Sequence, residues 1–156
     1  MKDKNRDNPG VIAPPPLIYA AGLAAGLLSH AAFPLQIPSS ALAAVLGLCL
    51  IGMGVLLAAA GFRAMSRAGT HVDPFKPTTA IATDGPFRFT RNPLYLSLTL
   101  LYSGIAILVN VLWAILFLPI VLLIMRRGVI DREERYLEQK FGEDYLRYKR
   151  SVRRWF

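Results

Sequence analysis

Two short stretches carry the polar chemistry of this sequence. In GPFRFTRNPLYL, residues 85–96, Arg91, Asn92 and Tyr95 stand against the start of a long apolar run. In DREERYLEQKF, residues 131–141, Glu133 and Glu134 sit side by side. Burying unpaired polar groups is costly, so a junction like the first calls for partners that a plain surface loop would not need. The second is unusual in another way. Ile130, Glu134, Leu137 and Phe141 fall at helical spacing, so Glu134 interrupts an apolar stripe, and neither glutamate has a basic residue three or four positions away. Asp131 and Glu143, by contrast, have Arg135 and Arg147 at i+4, the usual solvated pairing. A guanidinium suits a carboxylate, a pair of carboxylates suits an amine or ribose hydroxyls, and aromatic faces suit adenine or a sulfonium.

The elements that must position these groups are membrane-like. Of 156 residues, 54% are hydrophobic, and the apolar residues form blocks at 17–37, 41–62 and 94–125 that contain no Lys, Arg, Asp or Glu. The first two blocks each match the ~20 residues that a bilayer core requires. The third, 32 residues, would as one helix be about 48 Å long, well over a ~30 Å hydrocarbon core, and Asn110 divides it. A helical hairpin is expected there. All 18 Lys and Arg fall in the N-terminal tail, the loop at 63–93 and the tail from Arg126 onward, so four spans put every positive charge on one side. Three spans would export ten of them.

The reading is therefore an all-α integral membrane protein with four transmembrane helices, the last two a hairpin, plus cytoplasmic amphipathic helices at the C-terminus. Its parts are a cytoplasmic tail (1–16), two spans (17–62), a cytoplasmic loop (63–93), the hairpin (94–125) and cytoplasmic helices (126–156). Both termini are expected in the cytoplasm, with a bacterial inner membrane as the location. The long first block and Pro34 and Pro38 argue against a cleaved signal peptide. The net charge of +8 then fits anionic lipid headgroups, and no module for binding nucleic acid is present. Cys49, alone within the second span, reads as a small packing residue.

GLAAG at 22–26, with Gly47, Gly52, Gly54 and Gly61, predicts close packing between the first two spans. GMG at 52–54 is no nucleotide fingerprint, because it lies inside a span with no strand before it. The 63–93 loop is long and rich in Pro, Thr and Gly; its His71 and Asp73 lack a third metal ligand at sensible spacing, so loop hydrogen bonding is expected of them and no metal. Gly142 predicts the end of the charged helix, with a second short helix in EDYLRYKRSVRRWF. Pro119 could kink the last span and open a lateral entry for a lipid-like substrate.

With GPFRFTRNPLY at 85–95 and EERYLEQKFGEDYLRYKRSV at 133–152 together, the chain resembles the isoprenylcysteine carboxyl methyltransferases and the related phospholipid methyltransferases over about residues 41–156. The resemblance implies a membrane enzyme that uses S-adenosyl-L-methionine and methylates a lipophilic or prenylated acceptor: an isoprenylcysteine-type carboxylate or thiol, or a lipid amine. It implies cofactor-binding roles for Thr79, Ala80, Ile81, Ala82, Phe87, Asn92, Pro93, Leu94, Tyr95 and Glu133, and catalytic roles for Arg91, Asn92 and Glu134. The substrate-side arginine has no match at Val129, and Arg126 and Arg127 nearby are the candidates for that role. The family's common His is Asn92 here, so no general base is expected at that position. The competing readings are an NADPH-dependent sterol-type membrane reductase, which shares a similar Arg-Asn-Pro and Glu-Tyr pattern, and a non-enzymatic membrane scaffold.

Overall fold

The computed structural model describes residues 7–37 and 40–155. The tail's Lys2, Lys4 and Arg6, and Pro38, lie outside the described residues. Among the described residues the chain is all helical: α1 (Pro15–Ala32), α2 (Ala41–Arg67), α3 (Pro93–Leu108), α4 (Leu112–Met125), α5 (Asp131–Phe141) and α6 (Glu143–Ser151), with a 3-10 turn at Gly85–Arg88 and a π turn at Arg126–Ile130. α2 is 27 residues long, with a mean hydropathy of 2.6 over an 18-residue stretch, and α4, the π turn and α5 run on as one 30-residue helix. By length and composition these two can cross a membrane. α1 and α3, at 18 and 16 residues, are shorter.

Large apolar side chains face outward along these helices: Leu42 and Leu56 on α2 are 77% and 71% exposed, Leu28 on α1 73%, and Ile120 on α4 55%. Water would not tolerate a patch of that extent, and lipid would. Cys49 belongs to this outward face rather than to a packed seam.

The hairpin forms where Asn110 interrupts the third apolar block. Asn110 takes a left-handed φ of 57°, which Asn adopts more readily than most residues, and its Oδ1 accepts a hydrogen bond from Ile37 N–H at 2.8 Å. Leu112 N–H donates to Leu35 O at 3.1 Å, so the turn is stitched to the chain that follows α1. That chain is not helical beyond Ala32, although the apolar block runs on to Ile37.

Helix pairing departs from the expected order. The glycine pair in GLAAG packs on α4, not on α2: a Cβ on Gly26 would lie 2.7 Å from Ala114 Cα, and one on Gly22 would meet Val121. α2 pairs instead with α3, where a Cβ on Gly104 would lie 2.7 Å from Gly47 O. Small residues let helices approach wherever a complementary partner stands, and the motif does not name that partner. Tyr19 ties α1 to α3 as well, its hydroxyl bonding Thr99 Oγ1 at 2.8 Å and its ring meeting Tyr102 edge-on.

Beyond Met125 the helix widens into the π turn, a distortion frequent at functional sites, before α5 resumes with its acidic first turn. Residues 9–14 lie across this turn. Ile12 N–H donates to Gly128 O at 3.2 Å, and the Ile12 side chain fills the space a Cβ on Gly128 would need, at 2.3 Å. Gly142, at φ 54°, ends α5 and lets α6 fold back.

Candidate functional site

The last turns of α2, the N-terminal half of α3, the loop between them, α5, α6 and the start of α1 line a cavity of ≈ 520 Å³. Pro93 at the first helical position starts α3 without needing a donor, and Asn92 precedes it. Asn92 does not cap the helix; its Nδ2 donates to Arg154 O at 3.0 Å, and it is buried. Arg91 lies in the cavity wall with its side chain only 10% exposed, and its Nε and Nη1 have no hydrogen-bond partner. Among the described residues these are the buried side-chain polar atoms left unsatisfied.

Glu133 and Glu134 meet opposite surroundings. Glu133 lines the cavity, and its Oε1 accepts from the Tyr95 hydroxyl at 2.5 Å. Burial pushes its carboxyl up to about 7; the Tyr95 hydrogen bond opposes that shift and the neighbouring Glu134 charge adds to it. Glu134 is buried at 6% exposure among cations. Arg154 Nε donates to Oε1 at 2.9 Å and Nη2 to Oε2 at 2.8 Å. Arg91 Nη1 is 3.1 Å from Oε1, and Lys149 Nζ 3.5 Å from Oε2. Burial alone would raise the Glu134 carboxyl, but the Arg154 hydrogen bonds and the charges of Arg91, Arg154 and Lys149 outweigh it and hold the group below its ordinary range.

Two tyrosines of α6 complete the wall. Burial, with the Glu134 charge, pushes the Tyr145 phenol up to about 12 against the pull of the adjacent Arg91. The Tyr148 hydroxyl donates to Phe87 O at 2.7 Å, fixing α6 to the 3-10 turn. Tyr136 joins three segments across the cavity's rim: its hydroxyl accepts from Thr78 N–H at 3.2 Å and from Lys140 Nζ at 2.9 Å, and bonds Asp7 Oδ1 at 2.8 Å.

Of the residues singled out in the sequence, Ala80, Ile81, Ala82, Phe87, Arg91, Asn92, Pro93, Leu94, Tyr95, Glu133 and Glu134 all line the cavity. Thr79 does not; it is exposed, and its hydroxyl donates to Gly69 O at 2.6 Å. Arg126 and Arg127 are exposed on the π turn and are not part of the wall. The partners of the outer acids also differ from the i+4 pattern. Asp131 pairs with Arg154 at 3.0 Å while Arg135 Nε takes its backbone carbonyl, and Glu143 pairs with Arg150. His71 and Asp73 lie on the wall, Asp73 Oδ1 accepting from Phe75 N–H at 2.9 Å. Sequence reasoning missed Pro14–Pro16, Tyr145, Tyr148 and Arg154. The two tyrosines at i, i+3 on an amphipathic helix were a readable signal; the other residues gave none.

Residues 42–144 match the model of the phospholipid methyltransferases. The chain belongs to the phospholipid methyltransferase family. An uncharacterized protein of Haemophilus influenzae is 44% identical over 62 residues, which is 40% of this chain and 98% of that protein. No solved structure matches the chain. The methyltransferase match takes in the 3-10 turn, the start of α3 and both glutamates, so the cavity lies largely within it. It ends before Tyr145, Tyr148 and Arg154.

Proposed function

We propose that the protein transfers a methyl group from S-adenosyl-L-methionine to a lipophilic acceptor at the cytoplasmic face of a membrane, the acceptor being an isoprenylcysteine-type carboxylate or thiol, or a lipid amine. The observation that carries this reading is the Arg91 guanidinium, nine-tenths buried in the cavity wall with Nε and Nη1 unsatisfied. A buried donor without an acceptor costs about 1–3 kcal/mol, more when charged, so this arrangement is best explained by a ligand that brings an anion. A cavity of ≈ 520 Å³ is also within the ~300–1,000 Å³ usual for small-molecule sites.

The residues present fit the cofactor. Arg91 suits its carboxylate, Glu133 its ammonium or ribose hydroxyls, and the rings of Phe87, Tyr145 and Tyr148 its adenine or sulfonium. When bound, the cofactor supplies an electrophilic methyl group. The chain's own work is to orient the two reactants in line and to exclude water, which a largely apolar wall of Phe62, Leu94, Leu98 and Leu101 does. A carboxylate acceptor is ionised at neutral pH and needs no base. An amine or thiol must lose a proton; Asn92 cannot take it, whereas the Glu133 carboxyl, pushed up to about 7, can hold one near neutrality.

Four spans, with both termini and the 63–93 loop in the cytoplasm of a bacterial inner membrane, complete the proposal. The distribution of the 18 Lys and Arg and the outward apolar faces of α1 and α4 support it. Labelling of a cysteine placed at Tyr145, in a Cys49→Ser background, from outside intact cells would overturn that topology.

Calorimetric titration of the detergent-purified protein with S-adenosylhomocysteine and, separately, NADPH tests the reading. Binding of the first and not the second is expected. Arg91→Ala should weaken it by roughly 1–3 kcal/mol, the worth of a hydrogen bond to a charged group. Unchanged affinity in a folded variant would remove Arg91 from the site.

A further inference from the structure

The segment after α6 lies beyond the part of the chain that matches the family, yet it is fastened to residues that form the site's wall. Its backbone is pinned: Arg91 N–H donates to Arg153 O at 3.0 Å, and Thr90 Oγ1 and Asn92 Nδ2 both donate to Arg154 O, at 2.9 and 3.0 Å. The Arg154 side chain then grips Glu134 as a two-pronged fork, and its Nη2 also reaches Asp131 Oδ1 at 3.0 Å. A bidentate pair of this kind takes one good acceptor position on each carboxylate oxygen. Arg91 approaches the same carboxylate to 3.1 Å but without hydrogen-bond alignment, which is why its Nη1 remains unsatisfied. Two arginines face one carboxylate, and Arg154 holds it.

We propose that Arg154 is a positioning residue, which by occupying Glu134 keeps the Arg91 guanidinium available to the anionic group of the ligand in the cavity. The inference rests on the reading that Arg91 holds the cofactor's carboxylate. Without the fork, Glu134 is a buried carboxylate with open acceptor positions and an unsatisfied guanidinium 3.1 Å away. Closing that pair satisfies both groups and draws the Arg91 donors away from the ligand. Arg154 is not part of the cavity wall, so any effect on ligand binding must pass through its neighbours. Lys149 cannot replace it: its ammonium is a single-point donor 3.5 Å from Oε2 and already pairs with Glu138.

The test is S-adenosylhomocysteine affinity, by calorimetry on the full chain, for Arg91→Ala, Arg154→Gln, Glu134→Gln and the double variant Arg154→Gln/Glu134→Gln, with thermal midpoints measured alongside. Arg154→Gln should weaken binding roughly tenfold or more, as Arg91→Ala does. The double variant should recover to within about threefold of Glu134→Gln alone, because a neutral amide does not capture Arg91. A purely structural role predicts the reverse, since two lesions in one buried cluster would lower affinity further. A double variant no tighter than Arg154→Gln overturns the inference. So does a normal Arg154→Gln beside a weakened Arg91→Ala, and that outcome leaves the reading of Arg91 intact. Normal binding by Arg91→Ala overturns both. Should Arg154→Gln not fold, Arg154→Lys keeps the charge but only one prong, and the same loss and the same recovery with Glu134→Gln are expected of it.

Discussion

On α5, Glu133 lines the cavity beside a tyrosine hydroxyl, with no cation paired to it among the described residues; Glu134, also at the cavity wall, is held by three cations. Two identical side chains, about 100° apart around one helix, are thereby driven in opposite directions, one up to about 7 and one below its ordinary range. The partners that separate them come from α3, the loop before it, α6 and the segment after α6, not from α5. What a carboxylate can do here is decided by tertiary neighbours, and four measurements can break or sharpen that contrast.

The largest effect is expected on the cationic side. Glu134→Gln leaves Arg91, Arg154 and Lys149 without their shared anion, and it should destabilise the fold by roughly 2–4 kcal/mol, read as a lower thermal midpoint. A change under ~0.5 kcal/mol would show that the cluster is solvated and not buried.

Next comes the pH dependence of the cavity side. Glu133 is easier to protonate folded than unfolded, so the protonated carboxyl stabilises the fold. That contribution is fully present below the ordinary 4.5 and is lost as pH rises through about 7. The wild-type thermal midpoint should therefore fall across this window, and Glu133→Gln should remove that fall while weakening S-adenosylhomocysteine at pH 8. An identical pH profile for the two proteins would contradict the burial of Glu133. Glu134 works in the opposite sense: its contribution is present above 4.5 and lost as pH drops below.

Tyr95→Phe is a finer probe of the same side. It deletes a hydrogen bond that favours ionised Glu133, so the falling limb should move to higher pH than in the wild type. No movement would mean that the hydroxyl does not bear on the carboxylate.

The smallest effect belongs to the helix surface. Glu143 and Arg150 are each 65% exposed, and Glu143→Gln should leave the thermal midpoint essentially unchanged. Asp131→Asn should cost more, because Asp131 shares Arg154 with Glu134. Equal values for Asp131, Glu143 and Glu134 would erase the distinction between buried and solvated acids on these helices.

Much of this contrast was legible in the sequence. Glu134 stood out because it interrupts an apolar stripe without a basic neighbour at helical spacing, and Arg91 because it abuts an apolar run. The hairpin at Asn110 and the helix stop at Gly142 were legible because each rests on one local cause: a polar residue in an apolar block, and a residue free to take positive φ. Helix pairing was not legible. GLAAG says only that a close approach is sterically allowed, and Ala114 and Val121 are small or β-branched like many other residues of the spans. Arg154 was hidden for a similar reason, as one of ten basic residues after Met125 with nothing local to mark it.

The pairing of α1 with α4 has a consequence for how the protein is made. α1 is synthesised well before α4, but its glycine face is built for Ala114 and Val121, and the chain that follows it is tied to Asn110, 73 residues beyond Ile37. At about 5–20 residues per second, roughly 4–15 s of synthesis separate the two ends of that bond. During this interval α2 emerges, and its own partner, α3, arrives before α4 does. The glycine face of α1 thus waits for a partner made well after it, and a chain ending before Leu112 would leave α1 with an unfilled glycine groove and residues 33–37 with no turn to bind.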